Sequence, residues 1–245
     1  MLGERIKAYL YSSIVITAMW YIAFLAVKLP IVPSPFVIYM EIFGIFKESI
    51  AIHALYSIGR VFIGVFVSLF LGVLLGYLMG YFKRIDKLLS PLVYFTYPVP
   101  KMALLPIVML LFGLGETSKV IMLTLIIIFQ IIIAARDAVR AIPKEAYYSL
   151  YSLGATRFQI FKEIVAPASF SEIITSIRLA LGTAVSILFF TEAYGTEYGM
   201  GYFIMDSWMR VNYIEMYAGI VVLSIIGVLI FVLIDIIESR ICSWR

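Results

Sequence analysis

The sequence predicts an all-α membrane protein with six transmembrane helices, and two observations carry the prediction. Of its 245 residues, 63% are hydrophobic and only 14% are charged, against roughly a quarter charged in an ordinary soluble domain; the mean hydropathy is +1.05. The charges are also bunched. They leave nearly uncharged stretches able to cross a hydrocarbon core of about 30 Å at ~1.5 Å per residue. A surface this poor in charge faces lipid. The net charge of +4 fits basic residues gathered in cytoplasmic loops, and no basic run alternates with aromatics as nucleic-acid binding would require.

The spans follow in order. The first, 9–27, comes after Arg5 and Lys7 and has no clear small-residue cleavage site, so it reads as a retained helix rather than a signal peptide. The second, 61–82, is uncharged between Arg60 and Lys83. The third, 91–114, contains one charge, Lys101. The fourth, 120–135, is the shortest and is expected to extend into its flanks. The fifth, 173–191, has Arg178 near its start and Glu192 at its edge, and the sixth covers 216–234. Residues 1–245 thus read as a single transmembrane domain.

Six spans put both termini on one side. Lys28, Lys47, Arg60, Lys119 and Arg210 fall in segments on the opposite side and Lys101 lies within a span, so thirteen of the nineteen Lys and Arg residues share the side of the termini. The positive-inside rule makes that side cytoplasmic.

Two spans carry local irregularities. Gly64, Ser68, Gly72, Gly76 and Gly80 recur every four residues, a stripe of small residues that lets another helix approach closely in lipid. Pro98, Pro100 and Pro106 each remove a backbone donor from the third span, which predicts a kink or a local unwinding there. Non-helical backbone at membrane depth is tolerated where it lines a cavity or is buried in protein. Lys101 directly follows these prolines. An ammonium there faces the bundle interior, water or an anionic partner. Three readings stay open: a structural pair with a carboxylate, snorkelling toward an interface, or a place on a translocation path presenting charge to anions.

The longest inside segment, 136–172, has its own helical grammar. Pro143 suits a first helical position and Glu145 a first turn. Ala146, Leu150 and Leu153 fall on one face before Gly154 interrupts. Thr156 and Gln159 form a capping-box pattern for a second helix. Phe158, Phe161, Ile164 and Val165 give that helix an apolar face, and Pro167 ends it. Two short helices around a glycine elbow, with aromatics at a membrane surface, fit either a docking device for a partner or an amphipathic pair lying on lipid.

Catalytic chemistry finds little support. Cys242 is the single cysteine and His53 the single histidine, which leaves no disulfide framework, no metal cluster and no H-E-x-x-H for a membrane-embedded hydrolase. There is no G-x-x-x-x-G-K-[ST] phosphate loop; Gly113 to Lys119 has the wrong spacing. An independent channel or ion-coupled carrier would normally place several ionisable residues within its spans, where here only Lys101 and Glu192 qualify.

The string SLGATRFQIFKEIVAP, Ser152 to Pro167, resembles the "EAA" loop of binding-protein-dependent ABC permeases. The stretch SIGR from Ser57 to Arg60 with Gly64, Gly72 and Gly76, the stretch YPVPKMALLP from Tyr97 to Pro106 followed by FGLGE from Phe112 to Glu116, and IRLALG from Ile177 to Gly182 with Glu192 resemble the nitrate/sulfonate/taurine branch. There are departures. The usual loop glutamate position holds Tyr148, the following alanines are Ser149 and Leu150, Glu145 lies one turn earlier, and a second proline after the loop is Ser171.

The resemblance implies a type I importer transmembrane domain, with a five-helix core and an N-terminal helix that packs on the partner, in the cytoplasmic (inner) membrane of a prokaryote. It implies a homodimer with two copies of a separate ABC ATPase that binds ATP and magnesium, and a solute-binding protein delivering cargo to the outside loops, notably 192–215. This chain itself would hold no cofactor and no catalytic residue. Glu145, Leu150, Leu153, Gly154, Ala155, Thr156, Arg157, Phe158 and Phe161 would couple to the ATPase. Pro98, Pro100, Lys101 and Glu192 would line the path of a small solute, an anion of the nitrate, sulfonate, taurine or bicarbonate type.

Overall fold

A computed structural model describes residues 2–241, with side chains from Lys7 to Arg240. Cys242, Arg245, the side chain of Arg5 and the two chain ends lie outside the described residues. The described residues are helical, with no strand among them. Among the described residues five helices are long and apolar enough to cross a membrane, and there are six if a sharply bent pair counts as one span. The chain packs as two units, one from the residues up to Gly59 and from Leu188 on, the other from Arg60 to Ile187.

In the first unit, α1 (Leu2–Val27) is followed by α2 (Pro35–Ile45). Pro35 stands at the first helical position, where its missing N–H would be unpaired anyway. A wider π-helical turn, Phe46–Ile50, leads α2 without a break into α3 (Ala51–Tyr81). Sequence reading missed α2, because Glu41 interrupts its apolar run and Lys47 and Glu48 follow directly after it. The unit is completed by the end of α9 (Ala166–Glu192), α10 (Met200–Met209) and α11 (Tyr213–Ile241). Ile38, Ile50, Ala54, Met200, Phe203, Ala218 and Val222 form its buried core. The aromatic ring of Trp20 on α1 stacks on Tyr217 at 5.2 Å and meets Tyr39 edge-on at 6.2 Å.

The second unit is organised by α3 against α6 (Glu116–Arg140). A Cβ placed on Gly64, Gly72, Gly76 or Gly80 would lie 2.6–2.8 Å from Leu123, Ile131, Ala135 and Val139 respectively. Ser68, in the same stripe, donates to Gly64 O at 2.7 Å and reaches Thr124 O at 3.4 Å. The period-four stripe is therefore a helix–helix seam, with backbone pressed on large α6 side chains as lipid-phase packing favours.

The third expected span is two limbs. α4 (Lys83–Thr96) stops at the prolines; a 3₁₀ turn, Lys101–Leu104, then opens α5 (Leu105–Phe112), and the two limbs are bent by 83°. Lys101 accordingly sits at the break and not within a continuous helix. Two other sequence-based expectations change. Arg60 lies on α3, and Lys119 in the first turn of α6; both are buried rather than in open loops. The second loop helix does not end at Pro167. It runs from α8 (Arg157–Ile160) through a π-helical turn, Phe161–Val165, directly into α9. Proline in a helix clashes with the carbonyl one turn back, and the widened turn just before Pro167 gives that carbonyl room.

Candidate functional site: the elbow loop and the broken span

The 136–172 segment begins at the end of α6 and holds α7 (Glu145–Ser152). Gly154 has φ +70°. Its N–H donates to Tyr151 O at 3.0 Å, and the Ala155 N–H donates to Leu150 O at 3.0 Å. This pair of bonds is a Schellman end with glycine at the left-handed position. α8 then starts on a complete capping box: Gln159 N–H donates to Thr156 Oγ1 at 3.4 Å, and Thr156 N–H donates to Gln159 Oε1 at 2.7 Å. The elbow is thus closed by its own backbone, with both helix ends satisfied.

The expected coupling residues divide by direction. Leu150, Ala155 and Phe161 turn inward onto a cluster built on Val139, Ile160 and Val165, with Tyr77, Tyr81 and Tyr147 around it. Phe161 meets Tyr77 edge-on at 5.4 Å, and Tyr77 hydroxyl pairs with Ser169 Oγ at 2.8 Å. Burial, with Tyr81 and Tyr151 nearby, pushes the Tyr147 phenol above its ordinary pKa. Leu153 (81% exposed) and Phe158 (73%) point outward, as do Tyr148 and Tyr151; Glu145, Gly154, Thr156 and Arg157 are exposed beside them. Leu150 and Leu153 therefore do not share a face. Leu153 caps α7: its N–H still donates to Ser149 O at 3.3 Å, but its own backbone leaves helical geometry and its side chain stands in the open.

Below this loop an ion-pair network joins α4 to α6, which sequence reading missed. Arg136 donates to Asp137 Oδ1 at 2.9 and 2.7 Å and to Tyr94 hydroxyl, while Arg140 pairs with Asp86 at 2.5 Å. At the other end of α6, Arg60 forms a two-pronged pair with Glu116 at 2.6 and 2.5 Å, and Lys119 donates to Leu114 O. Tyr94, Asp86 and Glu116 stand far in sequence from the arginines that they meet, so charge spacing alone does not announce those pairs.

At the break, Lys101 Nζ donates to Thr96 O at 3.1 Å and Tyr97 O at 2.9 Å. These carbonyls belong to the end of α4, where Pro98 and Pro100 offer no N–H. The same ammonium lies 4.7 Å from the Phe129 ring centre, a cation–π distance. Its contacts here are carbonyls and rings rather than a carboxylate. Pro98 and Pro100 are exposed.

Glu192, in the first unit, closes α9 and is fully buried. Ser57 Oγ lies 2.8 Å from both its oxygens and donates to the carboxylate; Gly201 N–H donates to Oε2 at 2.9 Å. Met200 N–H donates to Ser57 Oγ at 2.8 Å and Gly199 N–H to His53 Nδ1 at 3.1 Å. Three successive amides at the start of α10 are thereby capped, one of them by an anion placed where the helix dipole favours it.

Residues 68–242 match the family model described as "Binding-protein-dependent transport system inner membrane component". The chain is 29% identical over 238 residues to the putative aliphatic sulfonates transport permease protein SsuC of Bacillus subtilis, covering 94% of this chain and 85% of that one. It is 28% identical over 215 residues to the formylaminopyrimidine transport permease protein ThiX of Halalkalibacterium halodurans, covering 88% and 86%. It is 29% identical over 158 residues to the taurine transport system permease protein TauC of Escherichia coli, covering 64% of this chain and 58% of that relative. Among solved structures, an inward-facing form of the MetNI methionine ABC transporter aligns with TM-score 0.67 at 20% identity, over 76% of this chain and 93% of that one; that likeness is one of fold, the type I importer transmembrane fold. The chain belongs to the binding-protein-dependent transport system inner membrane components and is a membrane-spanning permease of an ABC importer.

Proposed function

We propose that the chain forms one half of a homodimeric translocation path in the cytoplasmic membrane of a prokaryote, with both termini and the 136–172 loop inside. Two copies of a separate ABC ATPase bind ATP and magnesium and dock on the loop, and an extracytoplasmic solute-binding protein delivers cargo to the opposite side. The observation that carries the reading is the elbow. Its inner side chains are anchored on α3 and α6, while Leu153, Phe158, Tyr148 and Tyr151 stand out around a left-handed glycine. Exposed aromatics on a rigid two-helix platform suit burial against a protein partner. The glycine allows that partner close to the backbone, since nothing stands within 4 Å of its Cβ direction.

The solute we propose is a small anion of the nitrate, sulfonate, taurine or bicarbonate type. Support comes from Lys101 at the broken span, non-helical backbone at membrane depth being tolerated where it lines a cavity or is buried in protein, and from relatives named for taurine and aliphatic sulfonates. Purification with a co-expressed ATPase subunit, followed by uptake of labelled taurine and of a formylaminopyrimidine into proteoliposomes supplied with the co-encoded solute-binding protein, tests both levels. ATP-dependent uptake of the anion alone is expected. Uptake that needs only an ion gradient would instead establish an ion-coupled carrier.

A further inference from the structure

Among the described residues, two that are not glycine take the left-handed backbone, Lys28 at φ 50° and Val211 at φ 60°. Each ends a helix. Lys28 N–H donates to Phe24 O at 3.1 Å, closing α1. Val211 N–H donates to Trp208 O at 3.0 Å and Asn212 N–H to Ser207 O at 2.9 Å, the two bonds of a Schellman end, so valine occupies the usual place of glycine after α10. A left-handed residue with a Cβ is strained, a β-branched one most of all. Glycine would relieve the strain at both positions, so what the sequence retains there is the side chain.

Both residues line one groove of about 760 Å³, whose other walls are mostly apolar, Phe24, Leu25, Pro33 and Ile214 among them, with Asn212 and Tyr213 as uncharged polar members. The groove lies at a membrane boundary. Residues Lys7–Val27 make a span-length apolar helix, and Lys28 is the first residue beyond it. That places the ammonium at the level of the lipid headgroups. The neighbouring cation, Arg210, is engaged with Asp206 at 2.9 Å and Glu215 at 2.7 Å, whereas Lys28 has no carboxylate partner among the described residues.

We propose that this groove is a binding site for an anionic phospholipid of the surrounding bilayer, an acyl chain lying along the apolar wall and the headgroup phosphate on Lys28. An apolar trough with a single cation at its interfacial end matches an amphiphile with an apolar body and an anionic head. The strained valine supplies part of the wall, and the strained lysine the only charge in the lining.

The full chain, purified with its associated subunits, is exposed to dioleoylphosphatidylglycerol or dioleoylphosphatidylcholine, and retained lipid is counted by native mass spectrometry. Phosphatidylglycerol is expected to be retained over phosphatidylcholine. Lys28→Gln should cut that retention roughly fivefold, the worth of one lysine against an anionic surface, and leave phosphatidylcholine unchanged. Lys28→Gly and Val211→Gly should unfold at no lower temperature than the parent and yet lose phosphatidylglycerol, separating a binding role from a folding role. A photoreactive phosphatidylglycerol should label the 24–33 and 211–214 peptides. Equal retention of the two lipids, labelling elsewhere, or chain-to-chain cross-links through Val211→Cys in a Cys242→Ser background, which would put a second copy in the groove, overturns the proposal.

Discussion

Ser57 and Glu192 stand 135 positions apart in sequence and 2.8 Å apart in space, the serine hydroxyl donating to a fully buried carboxylate. The same hydroxyl accepts Met200 N–H, and the same carboxylate accepts Gly201 N–H. The pair fastens the start of α10, and Gly201 is close enough to α9 that a Cβ there would lie 2.4 Å from Phe189 O.

Removing the hydroxyl should therefore act on stability. Ser57→Ala strips Met200 N–H of its acceptor and the carboxylate of a donor, a loss of about 1–3 kcal/mol for buried groups left unpaired. Glu192→Gln keeps an acceptor for one of its donors and should cost less than Glu192→Ala. Thermal unfolding of detergent-solubilised variants gives the order. Lost uptake at an unchanged unfolding temperature for Glu192→Gln would place the residue on the solute path instead.

Gly76 tests the α3–α6 seam. A Cβ there would meet Ala135 Cβ at 2.6 Å and Ile132 O at 2.7 Å, so Gly76→Ala should destabilise, by about 1–3 kcal/mol as overpacking does. Gly44, on α2, has nothing within 4 Å, and Gly44→Ala should stabilise by roughly 0.5–1 kcal/mol through helix entropy alone. Opposite signs in paired unfolding curves are the expected result; equal signs would mean the seam opens readily.

Much of this was legible in the sequence because it depends on residue type and near-neighbour spacing. The small-residue stripe has a fixed period, Thr156 and Gln159 are three apart, and prolines at 98 and 100 cannot continue a helix. What was not legible depends on partners or on backbone geometry. Arg60 and Lys119 read as loop punctuation because a buried cation is recognised by what meets it, Glu116 and the Leu114 carbonyl. Leu150 and Leu153 read as one face because the end of α7 at Ser152 sits within the expected period. Pro167 read as a stop because the π-helical turn that accommodates it has no residue signature.

The elbow separates folding from coupling. Gly154→Val puts a β-branched side chain at φ +70°, strained although no atom obstructs it. Gly154→Asn is the sharper variant, because asparagine tolerates the left-handed region and still places a side chain on the exposed elbow. The chain should insert and keep its unfolding temperature with asparagine, while ATP hydrolysis and uptake uncouple. Normal uptake by a stably expressed Gly154→Asn variant would remove the elbow from the coupling contact.

Thr156 reports the side on which the elbow lies. It is exposed, so Thr156→Cys in a Cys242→Ser background should react with an impermeant maleimide in inverted vesicles and not in intact cells. Labelling from outside intact cells would reverse the orientation drawn from the lysine and arginine asymmetry.

Lys101 carries the sharpest test, because its position now has a structural role beside the proposed transport role. Its two bonds to the end of α4 are worth about 0.5–1.5 kcal/mol each, and the Phe129 contact adds an interaction of about 0.5–2 kcal/mol depending on its exposure to water. Lys101→Met removes all three but leaves the prolines that make the break, so the two limbs remain and the loss is a few kcal/mol at most. Assembly and ATPase binding should survive while uptake of an anion is lost. Lys101→Arg retains both a donor for the carbonyls and the positive charge, and should recover part of the uptake. If Lys101→Met transports normally, the ammonium is only a cap for α4. If it fails to assemble while Lys101→Arg assembles, the cap is what the permease needs, and the charge seen by the solute must come from elsewhere.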